Sequence, residues 1–395
     1  MTTTLRIREP QELLALIPYQ LGFHPQSSAV VVSLRGARRR VGLVARVDLA
    51  DVGDEEDGAQ LARGLVSHVA ADGGRSAVLV LYPDVPTAQA ARVHDVVLDT
   101  ARIFQEAAAP FLDPVDVWVV AGSGYFALGC SDRHCCPPEG RPIADLSATV
   151  TSAQMVLAGA SVVSTRDDLA RVPGAPEADR RRANAAANRW RARRREATTE
   201  EAVRAWRRDG LATWRDALDG AGRGQRPGAP KLGRVEAALD DTVVRDAILM
   251  TMVPGAGDLA ELLVDVAGGE PAAGRTAAVR DGTARQVVDA RVGGAIASIV
   301  DPDVGIRPDD RVSSGARTVL EAVVGHGRRN SQAPALTLLA LLTWWSGGGA
   351  RAGALLGRAL ALDPGYRLAQ LVARALETGM PPGWVRSEGL TGGAI

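Results

Sequence analysis

Five short apolar or alternating runs fall within the first 130 residues of the chain, and none follows them. A sheet therefore has to be built from the N-terminal third, and the remainder has to bury its apolar surface as helices. Ala29 to Leu34, Ala77 to Tyr82 and Val115 to Val120 are runs of the buried-strand type, while Val41, Leu43, Ala45, Val47 and Leu49 alternate. Gly122-Ser123-Gly124 turns the chain into a fifth strand, Tyr125 to Cys130, and the Arg-Gly-Ala-Arg-Arg-Arg sequence from Arg35 to Arg40 predicts a hairpin. Helical patterns interleave with these strands. Pro10 opens a helix carrying Leu13, Leu14 and Ile17 that Pro18 is expected to close, residues 58–70 form another, and Val93, Val96, Val97, Ala101 and Phe104 recur at helical spacing. Hairpins require antiparallel pairs and helical crossovers permit parallel ones, so the expected fold class is α/β, with a mixed sheet ending near residue 172.

The second part reads as helix throughout. Residues 173–230 are expected to be an Arg-rich helical linker, in which Thr198 and Glu201 make a capping box and Val203, Trp206, Leu211, Trp214 and Leu218 share one arc that has to dock. Gly and Pro fill more than half of Gly220 to Pro230. Residues 231–395 are expected to form a helical bundle, with helices over 234–252, 257–267, 283–299 and 309–326 and three more at the end. The pair from Pro334 to Leu362 resembles a single tetratricopeptide unit: Leu336, Leu339, Ala340, Gly347, Ala352, Leu356, Ala359 and Pro364 hold that spacing, and Thr343 departs from the usual tyrosine. One such pair builds no superhelix, so it is expected to pack within a compact bundle.

Composition narrows the chemistry. The chain has 395 residues, enough for two or three domains, and its 46 basic side chains balance 46 acidic ones, so global charge selects no partner. Lys231 is the only lysine, in Ala-Pro-Lys-Leu-Gly, which leaves neither a Walker A loop nor a plausible Schiff-base lysine. HExxH, GxSxG and a GxGxxG between strand and helix are all missing, so metalloprotease, α/β-hydrolase and dinucleotide readings lack their anchors. Few aromatics, 4% of the chain, offer few platforms for stacking bases. The longest nearly apolar stretch, Ala333 to Trp345, is too short for a bilayer and the start has no apolar signal core, so no membrane association and a cytoplasmic location are expected.

Three segments carry a family resemblance: Pro18-Tyr-Gln-Leu-Gly-Phe-His-Pro25, Cys130-Ser-Asp-Arg-His-Cys-Cys-Pro-Pro-Glu-Gly140, and Asp363-Pro-Gly-Tyr-Arg-Leu-Ala-Gln370 with Pro381-Pro-Gly-Trp384. Together they resemble the "domain of unknown function 4192" family of high-GC Gram-positive bacteria. The resemblance spans nearly the whole chain. It implies an architecture and supplies no reaction or catalytic residue.

The residues themselves offer two candidate sites. Cys130, His134, Cys135 and Cys136 include donors at metal-ligand spacing, with His24 as a further candidate beside the first strand. Three readings stand for this loop: a metal site, a reactive thiol, and a structural turn that packs buried thiols. Neighbouring side chains of an extended chain point to opposite sides and no second ligand pair exists, so the structural turn is favoured and no metal or other cofactor is expected. His24 is read as a hydrogen-bonded loop residue, His68 and His94 as boundary or surface residues on helices, and His326 as an exposed helix C-terminal group.

The second candidate is cationic. Arg180 to Arg208 holds eleven arginines and three glutamates, net +8. Arg180, Arg181, Arg182, Arg189, Arg191, Arg193, Arg194 and Arg195 spread around the whole helix, so polyanion binding is a subsidiary reading, nucleic acid is not an expected partner, and pairing with the chain's own acidic surface, such as Asp51 to Asp57, is expected instead. Among Asp240, Asp241 and Asp246, Asp241 is expected to pair with Arg245 four residues on, with no catalysis. The function expected from all of this is non-catalytic interaction or regulation, with a protein partner on the C-terminal bundle anchored by Trp344, Trp345, Tyr366 or Trp384. The alternative is an enzyme or small-molecule binder using the cysteine loop and His24.

Overall fold

The computed structural model describes residues 9–54, 57–86, 95–122, 124–137, 139–266 and 275–385. His94 lies outside them. The chain divides into two compact units, Met1–Leu169 and Ala170–Ile395.

The first unit runs α1 (Pro10–Leu21), β1 (Ser28–Arg35), β2 (Arg40–Asp48), α2 (Leu49–Val52), α3 (Gly58–Ala71), β3 (Gly74–Tyr82), α4 (Asp95–Ala108), β4 (Asp116–Ala121), β5 (Gly124–Ala127), β6 (Arg141–Pro142), α5 (Ala144–Ser147), α6 (Val150–Leu157) and α7 (Arg166–Leu169). Its six-stranded sheet has the order β2-β1-β3-β4-β5-β6. Only β3 and β4 are parallel, which is where the helical crossover α4 intervenes; the other pairs are antiparallel. The expected mixed sheet is therefore present. Ala29, Val31, Leu79, Leu81, Val117 and Val119 share one core cluster with Leu65, Val69, Val97 and Phe104 of α3 and α4. The intervening Val30, Val32 and Val80 are buried as well, and on that side Tyr125 Oη donates to Gln11 Oε1 of α1 at 3.3 Å. Burial on both faces explains why β1 and β3 read as apolar runs and not as alternation.

Pro18 does not close α1. The helix continues to Leu21 and ends at Gly22, whose φ is 81° and whose N–H bonds Pro18 O at 2.7 Å. A proline late in a helix forfeits one backbone bond, and here burial of Leu13, Leu14, Ile17 and Leu21 on the same helix outweighs that loss. The fifth strand is also shorter than expected. It stops at Ala127, and Gly129 (φ 80°) turns the chain away.

The second unit contains α8 (Glu177–Glu196), α9 (Glu200–Gly222), α10 (Ala229–Ala238), α11 (Thr242–Met250), α12 (Leu259–Val266), α13 (Arg275–Val300), α14 (Asp310–His326), α15 (Ala333–Trp345), α16 (Gly349–Leu362) and α17 (Arg367–Glu377). The Arg-rich segment lies inside this unit, and the predicted docking arc of α9 buries Trp206, Leu211 and Trp214 in its core. The cap of α9 is Thr199, which accepts from Ala202 N–H, one residue beyond the expected Thr198. The expected single helix over 234–252 is broken at Leu239 to Asp241, because Asp241 caps α11 by accepting from the N–H groups of Val243 and Val244.

The large aromatics near the C-terminus are internal struts. Trp345 is fully buried and donates to Ile306 O at 2.9 Å, Trp344 donates to Met380 O at 3.1 Å, and Trp384 donates to Trp345 O at 2.7 Å. Gly383 makes this possible, since a Cβ there would lie 2.4 Å from Asp301 O. The Pro-Pro-Gly-Trp segment is thus read by the fold itself. Trp344 and Trp345 are unavailable as exposed anchors, and Trp384 is half-buried.

Candidate thiol site

The cysteines lie on the loop that joins β5 to the edge strand β6. Asp132 organises it: Asp132 Oδ1 accepts from His134 N–H at 2.8 Å and Asp132 O accepts from Cys136 N–H at 2.7 Å. The second bond closes a helix-like i→i+4 turn. Within such a turn neighbouring side chains diverge by about 100° and not by the 180° of an extended chain. Cys135 and Cys136 are consequently not thrown to opposite sides. Their sulfurs are 3.9 Å apart, and Cys130 Sγ completes a set in which all three sulfurs lie within 4.8 Å of one another. Among the described residues this is the one such group of cysteine, histidine or carboxylate donors.

Two interactions hold the loop on the sheet. Ala127 N–H donates to Cys136 Sγ at 3.3 Å, and Arg141 Nε, from β6, donates to Cys135 O at 2.8 Å. Arg141 is held above its ordinary value, chiefly by its hydrogen bond with Tyr125. Burial pushes the Cys136 thiol up to about 11, while the Ala127 N–H works in the opposite direction. The thiols are not all buried hydrophobes: Cys136 packs against the sheet core, Cys135 is half-buried and Cys130 is exposed, all three as free thiols. His134 is exposed and stands outside the sulfur set. His24 is also exposed, and its backbone N–H bonds Val163 O at 3.1 Å, so the loop-residue reading describes it and the sulfur set does not include it.

The arginine candidate resolves differently. Arg191 binds Glu236 at 3.1 Å and Asp240 at 2.6 Å; Glu236 is 2% exposed, and burial raises its carboxyl above the ordinary range while Arg191 pulls it down. Asp241 takes Arg207 at 3.0 Å and Arg194 at 3.8 Å, so it is spent on capping α11 and on these two arginines and not on Arg245, which binds Asp246 instead. Arg193 lies 3.7 Å from Asp209 and stacks over Trp190 at 4.8 Å, Arg194 lies over Trp206 at 5.8 Å, Arg181 pairs with Glu177 at 2.8 Å, and Arg182 pairs with Asp179. Arg180, Arg189 and Arg195 have no ion-pair partner among the described residues. A cleft of about 660 Å³ opens beside α8, where Lys231 pairs with Asp216 and Arg193 with Asp209, while Arg234 lies over the Trp190 ring at 5.7 Å. The lone lysine is a surface ion-pair partner. His326 is half-buried, with Nδ1 2.7 Å from Ala322 O, and so is less exposed than expected.

No helix among the described residues is long and apolar enough to cross a membrane. A mixed α/β unit with a three-thiol loop, followed by a helical unit in which most arginines of the Arg-rich segment are ion-paired, defines a protein class by architecture. The chain belongs to the family described as "Domain of unknown function (DUF4192)", whose model matches residues 10–280 and 307–383. No curated protein and no solved structure matches the chain.

Proposed function

We propose that the chain is a cytoplasmic regulatory or interaction protein whose chemically active element is the thiol loop between β5 and β6. The observation that carries this reading is the convergence of three sulfurs within 4.8 Å on a surface loop. Cysteines that serve only as packing are buried apolar groups, whereas Cys130 is exposed and makes no contribution to the core. Partner contact falls to the helical unit, through the tetratricopeptide-like α15–α16 pair and the adjoining α17. Exposed Leu371 on α17, 55% accessible, is the anchor in this reading, since Trp344 and Trp345 are buried and Trp384 is half-buried and bonded to Trp345 O.

Stepwise alkylation of untagged protein from its native host tests the assignment. Cys130, Cys135 and Cys136 should be blocked in the protein as isolated and become alkylatable after treatment with reductant and chelator. Three thiols that alkylate equally before and after treatment would remove the reading. Leu371→Asp should weaken capture of a partner without changing the alkylation pattern.

A further inference from the structure

We infer that Cys130, Cys135 and Cys136 bind one soft d10 cation, zinc(II) or copper(I), as three thiolate ligands. This rests on the reading of the thiol loop as the active element and names what it takes. Three atoms within 4.8 Å of one another share a point no more than about 2.8 Å from each, and zinc–thiolate bonds are about 2.3 Å long. A movement of about 0.5 Å per sulfur completes the bonds. The Cys135–Cys136 pair, at 3.9 Å, already has the separation of two sulfurs on one metal, which for such bonds is roughly 3.8–4.0 Å. The extended-chain argument against a metal does not apply, because the turn closed by Asp132 O and Cys136 N–H leaves the two sulfurs on one side, 3.9 Å apart.

A cross-link suits this geometry less well. Consecutive Cα atoms are about 3.8 Å apart, below the usual disulfide range of about 4.4–6.8 Å. Burial works against the Cys136 thiolate, and two neighbouring groups offset part of that cost. Ala127 N–H already donates to Cys136 Sγ, and Arg141, anchored on Cys135 O, supplies a positive charge beside the net negative charge that three thiolates leave around either cation. On binding, three thiols release protons to solvent as three metal–sulfur bonds form, and no electron is transferred. Thiolate donors select soft cations over magnesium or calcium. No histidine or carboxylate among the described residues joins the set, and Cys130 is exposed, so a tetrahedral ion keeps its fourth position open to solvent or an exogenous ligand.

The test uses the full untagged chain, reduced and stripped of metal. Cobalt(II) serves as the optical probe, and zinc(II) and copper(I) are each titrated against a chromophoric chelator. The expected result is one equivalent bound, a thiolate-to-cobalt charge-transfer band, and at least a tenfold loss of affinity in each of Cys130→Ser, Cys135→Ser and Cys136→Ser. The two titrations decide between the cations. A triple serine variant that keeps the native circular dichroism and binds as tightly as the parent overturns the inference. So does a chain that binds no metal and carries a Cys130–Cys135 or Cys130–Cys136 disulfide on peptide mapping, although the thiol loop then stands as a redox element. Three free thiols with neither metal nor cross-link would remove both readings.

Discussion

Arg191 and Cys130 belong to two clusters of chemically capable side chains, one in each unit, and the clusters differ in what surrounds them. The arginine is held by Glu236 and Asp240 and follows Trp190, which shares a core cluster with Trp206 and Trp214. The cysteine meets chiefly two other thiols on the loop between β5 and β6. A charge run in a sequence advertises itself by number, yet its capacity to bind a ligand is consumed when the chain supplies the counterions. Three cysteines are fewer, but their donors converge and only Cys136 is engaged by backbone, through Ala127 N–H. Convergence without internal satisfaction is the better mark of a site.

The largest expected effect comes from breaking the satisfied cluster. Arg191→Ala strands Glu236, 2% exposed, without its main counter-charge. Unpairing a buried ion costs about 3–5 kcal/mol, and because the Arg191 side chain is 26% exposed the lower end, about 3 kcal/mol, is expected from urea unfolding of the second unit. Glu236 also sets a pH dependence. Its folded-state value is raised by burial, so the native state holds the proton more tightly than the unfolded chain, and stability declines as pH rises from the ordinary glutamate range through the raised value. Glu236→Gln should flatten that segment of the profile, and Arg191→Ala should steepen it. An Arg191→Ala variant with parental stability at neutral pH would mean the arginines are held no better than the thiols, and the comparison would fail.

Gly233→Ala probes the packing behind the same cluster. The substitution gains helix propensity of up to about 1 kcal/mol, but the new Cβ would lie 2.0 Å from Ala183 O, where α8 and α10 touch. Overpacking costs about 1–3 kcal/mol, so net destabilisation is expected, read as a lower midpoint of unfolding with an unchanged slope.

That contact explains which parts of the molecule were legible. The sheet was, because β1, β3 and β4 are apolar runs bounded by turns and the two hairpins carry Gly at the turn. The docking face of α9 was as well, since Trp206, Leu211 and Trp214 obey helical spacing. The counterions of the arginines were not, because Glu236, Asp240 and Asp241 reach α8 only through the close α8–α10 approach that Gly233 permits, tens of residues away in sequence. The sulfur triad was hidden for a local reason. Whether Cys135 and Cys136 diverge or converge depends on a single i→i+4 hydrogen bond from Cys136 to Asp132, which no periodicity announces. Pro18 misled in the same way, by a local rule that burial of α1 overrides.

Polyanion binding sharpens the comparison further. Within Arg180 to Arg208 only Arg180, Arg189 and Arg195 lack an ion-pair partner among the described residues, so a nucleic-acid duplex docking on this segment recruits few cations unless it displaces carboxylates. At about 0.9 per phosphate contact, the slope of log affinity against log salt should not exceed about 2.7 in magnitude, and binding at physiological salt should be weak and indifferent to sequence. Fluorescence anisotropy over a salt series reads this directly. A slope of 6 or more, on the order of that for a groove-binding protein, would mean that the ion pairs of α8 open on contact.

The smallest expected effect on stability belongs to the unsatisfied cluster, and it is the sharpest contrast of all. Cys130→Ser exchanges one exposed, free side chain for another of similar size and removes no core contact. Surface changes of this kind stay within about 0.5 kcal/mol, so urea midpoints of the variant and parent should coincide. If the sulfur serves a ligand, the same substitution nonetheless abolishes tight occupancy of the loop, a functional loss with no folding cost. A stability loss of about 2 kcal/mol or more in the metal-free, reduced protein would instead identify Cys130 as a packing residue. That result would align the thiol loop with the arginine network as structure, since a group the fold depends on in the absence of any ligand has already spent its interactions on the fold.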